Sequence, residues 1–167
     1  DFTSSVPNLT KVDEVVAKLG KAESGRETNQ DNLIKTIALN YSQAGTEAKV
    51  NLSFKSYLGP SETPKLESLK CTHLSSAHLP NRNAQLTRQE LSGIENGKTY
   101  QEIVSQLGLP ERLDWHGGIL GNATLSIYYR LEDGKEVGFS FENNKSQNYQ
   151  LTESSGLASE AGDAGTQ

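Results

Sequence analysis

Methionine is absent from the 167 residues, and cysteine and tryptophan occur once each. With Cys71 as the single thiol, no intrachain disulfide can form, which excludes the small secreted scaffolds that rely on several bridges. No stretch approaches the roughly 18 consecutive apolar residues that a membrane-crossing helix needs. A basic surplus is also missing. Sixteen basic and 21 acidic residues leave a net charge of −5, and no basic stripe of the kind that tracks phosphates is visible, so nucleic acid is not an expected partner. Part of the imbalance sits at the end, where Glu153, Glu160 and Asp163 follow the last lysine, Lys145. A chain that starts at Asp1 without methionine carries the expectation of a removed start codon and, with it, of an upstream signal peptide.

What is present is polar but foldable: 34% hydrophobic and 22% charged residues, with six Tyr and four Phe. The informative pattern is internal self-similarity. Laying residues 6–23 on 94–111 without a gap places Asn8 on Asn96, Glu14 on Glu102, Val16 on Val104, Leu19-Gly20 on Leu107-Gly108 and Glu23 on Glu111. The same offset sets Thr36 on Thr124, Leu39 on Ile127 and Tyr41 on Tyr129; a one-residue shift then sets Val50 on Val137 and Phe54 on Phe141. Chance resemblance between two amphipathic helices would not keep later strands in step, so a tandem duplication is expected.

Each copy is expected to begin with a short helix. Val12, Val15, Val16 and Leu19 recur at i, i+3, i+4 and i+7, as do Tyr100, Ile103, Val104 and Leu107, giving one apolar stripe per helix. Thr99 with Glu102 reads as a capping box and Thr10 with Asp13 as a weaker one; Gly20 and Gly108 suit the helix ends. Residues 86–91 suggest a preceding helical turn, with the bend at 93–97. Alternation of Leu125, Ile127 and Tyr129, then of Val137, Phe139 and Phe141, around Asp133-Gly134 predicts a hairpin; residues 37–41 and 50–54 match it in the first copy. Final strands are expected near 66–72 and 147–152.

The expected fold class is therefore α+β: two tandem repeats, each a helix-turn-helix packed on an antiparallel three- to four-stranded β-sheet whose other face is wet. The boundaries read as 1–74 for the first repeat, 75–85 for a linker, 86–153 for the second repeat and 154–167 for a disordered Gly/Ala/Ser tail. Expected core residues are Val12, Val15, Val16, Leu19, Leu39, Tyr41, Leu52 and Phe54 with Tyr100, Ile103, Val104, Leu107, Ile127, Tyr129, Phe139 and Phe141.

The run Gly97-Lys98-Thr99-Tyr100-Gln101-Glu102-Ile103-Val104-Ser105-Gln106-Leu107-Gly108-Leu109-Pro110, present in weaker form in the first copy, resembles the beta-lactamase inhibitor protein fold. The chain is similar in particular to the uncharacterised tandem-repeat surface lipoproteins of Gram-positive bacteria that share that fold. What the resemblance implies is an exported, extracellular or cell-surface protein, with a possible N-terminal lipid anchor, that grips another envelope protein with the exposed sheet face. On this sequence that face would show Thr36, Ala38, Asn40, Asn51, Ser53 and Lys55, then Thr124, Ser126, Tyr128, Arg130, Glu136, Ser140 and Glu142. Tyr128 would be its one large aromatic, and the disulfides of the inhibitors have no counterpart, which ranks general protein binding ahead of beta-lactamase inhibition. An envelope-assembly or structural lipoprotein scaffold working through the helical side is the alternative.

Catalytic and metal chemistry find no constellation. Cys71, His73 and His78 lack the two ligand pairs of a structural zinc site, no nucleophile elbow surrounds a serine, and residues 115–121 hold glycines but no phosphate-binding lysine. No catalytic residue, metal ligand or cofactor is expected. The Trp115–Asn122 segment admits two readings, a tryptophan covering the core or a mobile recognition loop. Taking the second, the candidate binding residues are Trp115, His116, Tyr128 and Arg130.

Overall fold

The computed structural model describes residues 11–57, 59, 61–76, 86–117, 123–143 and 149–157. In chain order the elements are α1 (Val12–Leu19), β1 (Ser24–Gln30), β2 (Ile34–Ser42), β3 (Lys49–Ser56), β4 (Lys65–Thr72), a 3-10 turn (Leu74–Ser76), α2 (Arg88–Ser92), α3 (Tyr100–Leu107), β5 (Arg112–Gly117), β6 (Ala123–Arg130), β7 (Glu136–Asn143) and β8 (Tyr149–Ser155). Among the described residues the eight strands form one sheet in the order β1 to β8, every neighbouring pair antiparallel.

This corrects the expected fold class. There are not two helix-turn-helix units on separate three- to four-stranded sheets; one eight-stranded antiparallel sheet dominates, with three small helices on it among the described residues. The decisive contact is β4 with β5, where Ser68 to Cys71 pair with His116 to Leu113 and fuse the halves into a single sheet. Fusion removes two edges and makes one core out of two thin ones. Among the described residues the second half carries a helix pair, α2 and α3, and the first half one helix, α1, over β1–β4. Thr10 and residues 77–85, which include most of the expected linker and His78, lie outside the described residues, as does most of the expected tail.

Local geometry recurs between the halves. The hydroxyl of Tyr41 donates to the carbonyl of Gly20 at 2.8 Å, and that of Tyr129 to the carbonyl of Gly108 at 2.8 Å. Gly20 and Gly108 have φ of 81° and 83°, a left-handed value open to glycine and costly for a residue with a β-carbon. The pairing register slips after Ser53 and again after Ser140.

Burial is unequal. Phe54, Phe139, Phe141, Tyr129, Ile127 and Ile103 are sealed in one core, and truncating such a Phe to Ala costs about 3–5 kcal/mol. The ring of Tyr100 on α3 meets Phe141 edge-on at 6.1 Å. In the first half Val15, Leu52 and Phe54 are buried, but Val12, Leu19, Leu39 and Tyr41 are half-buried and Val16 is exposed. α3 is capped as its sequence predicts: Thr99 Oγ1 accepts from the Glu102 amide at 3.2 Å, and Glu102 Oε2 accepts from the Thr99 amide at 2.7 Å. At α1 the cap is Lys11, whose amide donates to Glu14 at 3.0 Å.

The two sheet edges differ. Along β8 the Leu151 amide donates to the Lys98 carbonyl at 2.8 Å, and the Leu151 carbonyl accepts from Gly97 at 2.9 Å. β1 is exposed along its whole length and polar throughout, Ser-Gly-Arg-Glu-Thr-Asn-Gln.

Candidate functional site

Helices cover one face of the sheet, and strand alternation decides which side chains stand on the other, open face. Since Leu125, Ile127 and Tyr129 turn into the core, Thr124, Ser126, Tyr128 and Arg130 turn outward. The register carries this across the sheet: Asn40, Asn51, Lys70, Asp114, Ser126 and Ser140 lie in one continuous row, and Ala38, Ser53, Ser68, His116, Thr124 and Glu142 in the next. The open face is thus polar along its middle, and Tyr128 and Tyr57 each sit in a cluster of charged side chains.

The first cluster is built around Tyr128. The Arg112 guanidinium carbon sits 3.7 Å from the Tyr128 ring centroid, a cation–π contact. Arg112 is itself fixed, with Nη1 at 3.2 Å from Asp114 Oδ2 and Nη2 at 3.2 Å from Glu136 Oε1. Gly138 is opposite Tyr128 on β7. A β-carbon there would come within 3.0 Å of a Tyr128 ring carbon and 2.7 Å of Ser155 Oγ, so glycine is what lets the ring lie close to the sheet. The ring is therefore held by β5 and seated on β7. Nearby, the half-exposed Arg130 side chain points Nη2 towards the buried Glu111 carboxylate, 3.9 Å away. That carboxylate already accepts from the Ser75 amide at 2.8 Å and the Ser75 hydroxyl at 2.9 Å.

The second cluster lies on β3 and β4. The Tyr57 hydroxyl donates to Glu67 Oε1, and Lys55 Nζ lies 3.0 Å from Glu67 Oε2. Donation to Glu67, followed by burial and the carboxylate's charge, pushes the Tyr57 phenol up to about 12. Burial pushes the Glu67 carboxyl up, but hydrogen bonds from Tyr57 and Lys55 and the charges of Lys55 and His116 outweigh it, and the net direction is down. Glu67 is the extra residue at the register slip between β3 and β4.

Of the four candidate residues, the structure gathers His116, Tyr128 and Arg130 on the open face and sets Trp115 on the other. Trp115 is not in a loop: it belongs to β5, is 8% exposed, and donates Nε1–H to the Tyr149 hydroxyl at 2.7 Å. Its neighbour His116 is exposed, because consecutive strand residues point to opposite faces. Arg112 and the Tyr57–Glu67–Lys55 cluster are not among the four. Alternation of Leu113 and Trp115 with Arg112, Asp114 and His116 was the available signal for the former; no local signal brings Tyr57 and Glu67 together.

Cys71 is buried, and burial, with a smaller contribution from Asp114, pushes its thiol up to about 12, whereas His73 is exposed at φ 53°. Among the described residues no group of three His, Cys, Asp or Glu side chains converges on a metal-sized site, and no helix is long and apolar enough to cross a membrane.

With this geometry in view, comparison with solved structures finds a similar fold. It is that of the 1.40 Å crystal structure of a "putative beta-lactamase inhibitor protein" from Streptococcus mutans, matched with a TM-score of 0.57 over 87% of this chain and 80% of that one, at 14% identity. The likeness is one of fold. No protein-family model matches the chain, and no curated protein does. The fold is thus that of a beta-lactamase inhibitor protein-like chain, consistent with the sequence resemblance at that level.

Proposed function

We propose that this protein is a non-enzymatic binding module, exported to the cell surface or beyond it, that holds another envelope protein against its open sheet face. The observation that carries the reading is Tyr128, clamped between the Arg112 guanidinium at 3.7 Å and the bare backbone of Gly138. Interfaces favour Tyr and Arg because each combines contact area with hydrogen bonding, and a side chain already held in place loses less entropy on binding. His116 and Arg130 extend the same surface, and Tyr57, 40% exposed, adds a second aromatic. Trp115 is left out of the proposed contact because its indole is committed to the core. The fold shared with an inhibitor-like protein supports binding over catalysis, and the pairing of the two halves' hydrogen bonds supports their origin by tandem duplication.

The test is capture from surface extracts of the source cell with the wild-type chain and with Tyr128→Ala/Arg130→Ala as baits. The captured partner should bind the double variant at least tenfold more weakly while the far-ultraviolet circular dichroism stays unchanged. Wild-type affinity in that variant would sink the proposal and favour the second reading, an envelope-assembly scaffold working through the helical side. That reading has its own observation, the exposure of Val16 on α1.

A further inference from the structure

The open face is electrically two-sided. On β1–β4 its charged residues are Arg26, Lys49, Lys55, Lys65 and Lys70 with one carboxylate, Glu67; on β5–β8 they are Asp114, Glu136, Glu142 and Glu153 with Arg112 and Arg130. One half is basic and the other acidic, although the whole chain carries −5. A uniformly charged partner, such as a polyanion, would be attracted by one half and repelled by the other. The complementary surface must be acidic opposite β1–β4 and basic opposite β5–β8.

The chain itself supplies such a surface. Resting on the reading of the open face as the contact surface, we infer that in the absence of its envelope partner that face is covered by a second copy of this chain, turned so that β1–β4 of each copy covers β5–β8 of the other. A two-fold axis through the middle of the sheet produces this arrangement, since a self-complementary patch needs each feature and its complement on either side of the axis. The area suffices: eight strands spaced about 4.8 Å apart and about seven residues long offer roughly 900 Å², against the roughly 800 Å² per partner of a standard interface. The overall negative charge opposes approach at long range, but it is screened beyond about 8 Å at physiological ionic strength, which leaves the facing halves to decide the contact.

Sedimentation equilibrium of the full chain, from about 10 µM to about 1 mM, is the test. The wild type should show a reversible monomer–dimer equilibrium. Lys49, Lys65, Glu142 and Glu153 are all exposed and on the open face, so their reversal should leave the fold intact. Lys49→Glu/Lys65→Glu alone, and Glu142→Lys/Glu153→Lys alone, should each raise the dimer dissociation constant at least tenfold. An equimolar mixture of the two variants should pair more tightly than either variant alone, because the unreversed basic half of one then meets the unreversed acidic half of the other. Reversal of the acidic half moves the net charge towards zero, so indiscriminate association would rise where the opposed-face arrangement requires it to fall. A wild type that remains monomeric throughout, or dimerises equally with every reversal, overturns the inference. A monomeric wild type that still captures an envelope protein through Tyr128 and Arg130 would leave the binding-module proposal standing, so the two failures are distinguishable.

Discussion

Tyr41 and Tyr129 make the same 2.8 Å hydrogen bond to a glycine carbonyl after a helix, but in different surroundings. Gly108 and Tyr129 are buried, whereas Gly20 is exposed and Tyr41 is half-buried. Tyr→Phe removes the hydroxyl in each case and leaves the ring. At Tyr129 the Gly108 carbonyl is left without that donor out of reach of bulk water, and the expected loss is the desolvation penalty of an orphaned group, about 2 kcal/mol. At Tyr41 water reaches Gly20 and replaces the donor, so the expected loss is about 0.5 kcal/mol, the low end for a net hydrogen bond. Urea unfolding followed by the fluorescence of Trp115, the sole tryptophan, measures both. With a denaturant slope of about 2 kcal/mol/M, the midpoint should fall by about 1 M for Tyr129→Phe and by about 0.25 M for Tyr41→Phe, with slopes unchanged. Equal losses would refute the argument that burial, and not the bond, sets the energy. A changed slope would instead point to the first half unfolding apart from the second.

Two further outcomes are expected. Glu67→Gln should bring the Tyr57 phenol down towards its ordinary value of 10 from about 12, read as ultraviolet phenolate absorbance during a pH titration. The sign follows from linkage: a phenol raised in the folded state contributes stability that is complete below about pH 10 and lost as pH climbs to about 12, so the variant's alkaline unfolding should be less steep over that window. An unchanged phenol would mean that the hydrogen bond to Glu67 is not what raises it. Cys71, buried and with its thiol pushed up to about 12, should resist iodoacetamide in the native protein at pH 8 and react fully in denaturant; rapid native labelling would mean that the centre of the sheet opens readily.

How much was legible follows from where the signal lies. β6 and β7 alternate apolar and polar residues because one face is sealed and the other wet, and Asp133-Gly134 marks their turn, where Gly134 has φ 84° and Leu131 donates to Lys135 at 2.8 Å. The cap of α3 was equally plain, since Thr99 and Glu102 bond within one turn of chain. β1 was illegible because no residue of Ser24–Gln30 is buried, and a strand wet on both faces has no reason to alternate. β5 did alternate, with Leu113 and Trp115 inward, but its glycine-rich continuation read as a loop. The union of β4 with β5 had no signature at all: backbone hydrogen bonding between residues 68–71 and 113–116 depends on proximity that no local pattern encodes. For the site, outward Tyr128 and Arg130 came from parity alone, whereas His116 came from reading residues 115–122 as a recognition loop. Trp115 was missed by one residue, because parity sends it to the opposite face.

The unequal edges of the sheet set a limit on growth. Extension of a sheet into a fibril needs a free template at both margins of every copy, so that each addition exposes another. Here the margin at β8 has its Leu151 amide and carbonyl already engaged by Lys98 and Gly97, whereas among the described residues no strand pairs with the outer edge of β1. The turn before α3 thus acts as a plug in the middle of the β8 margin, which an incoming strand would have to displace before it could pair there.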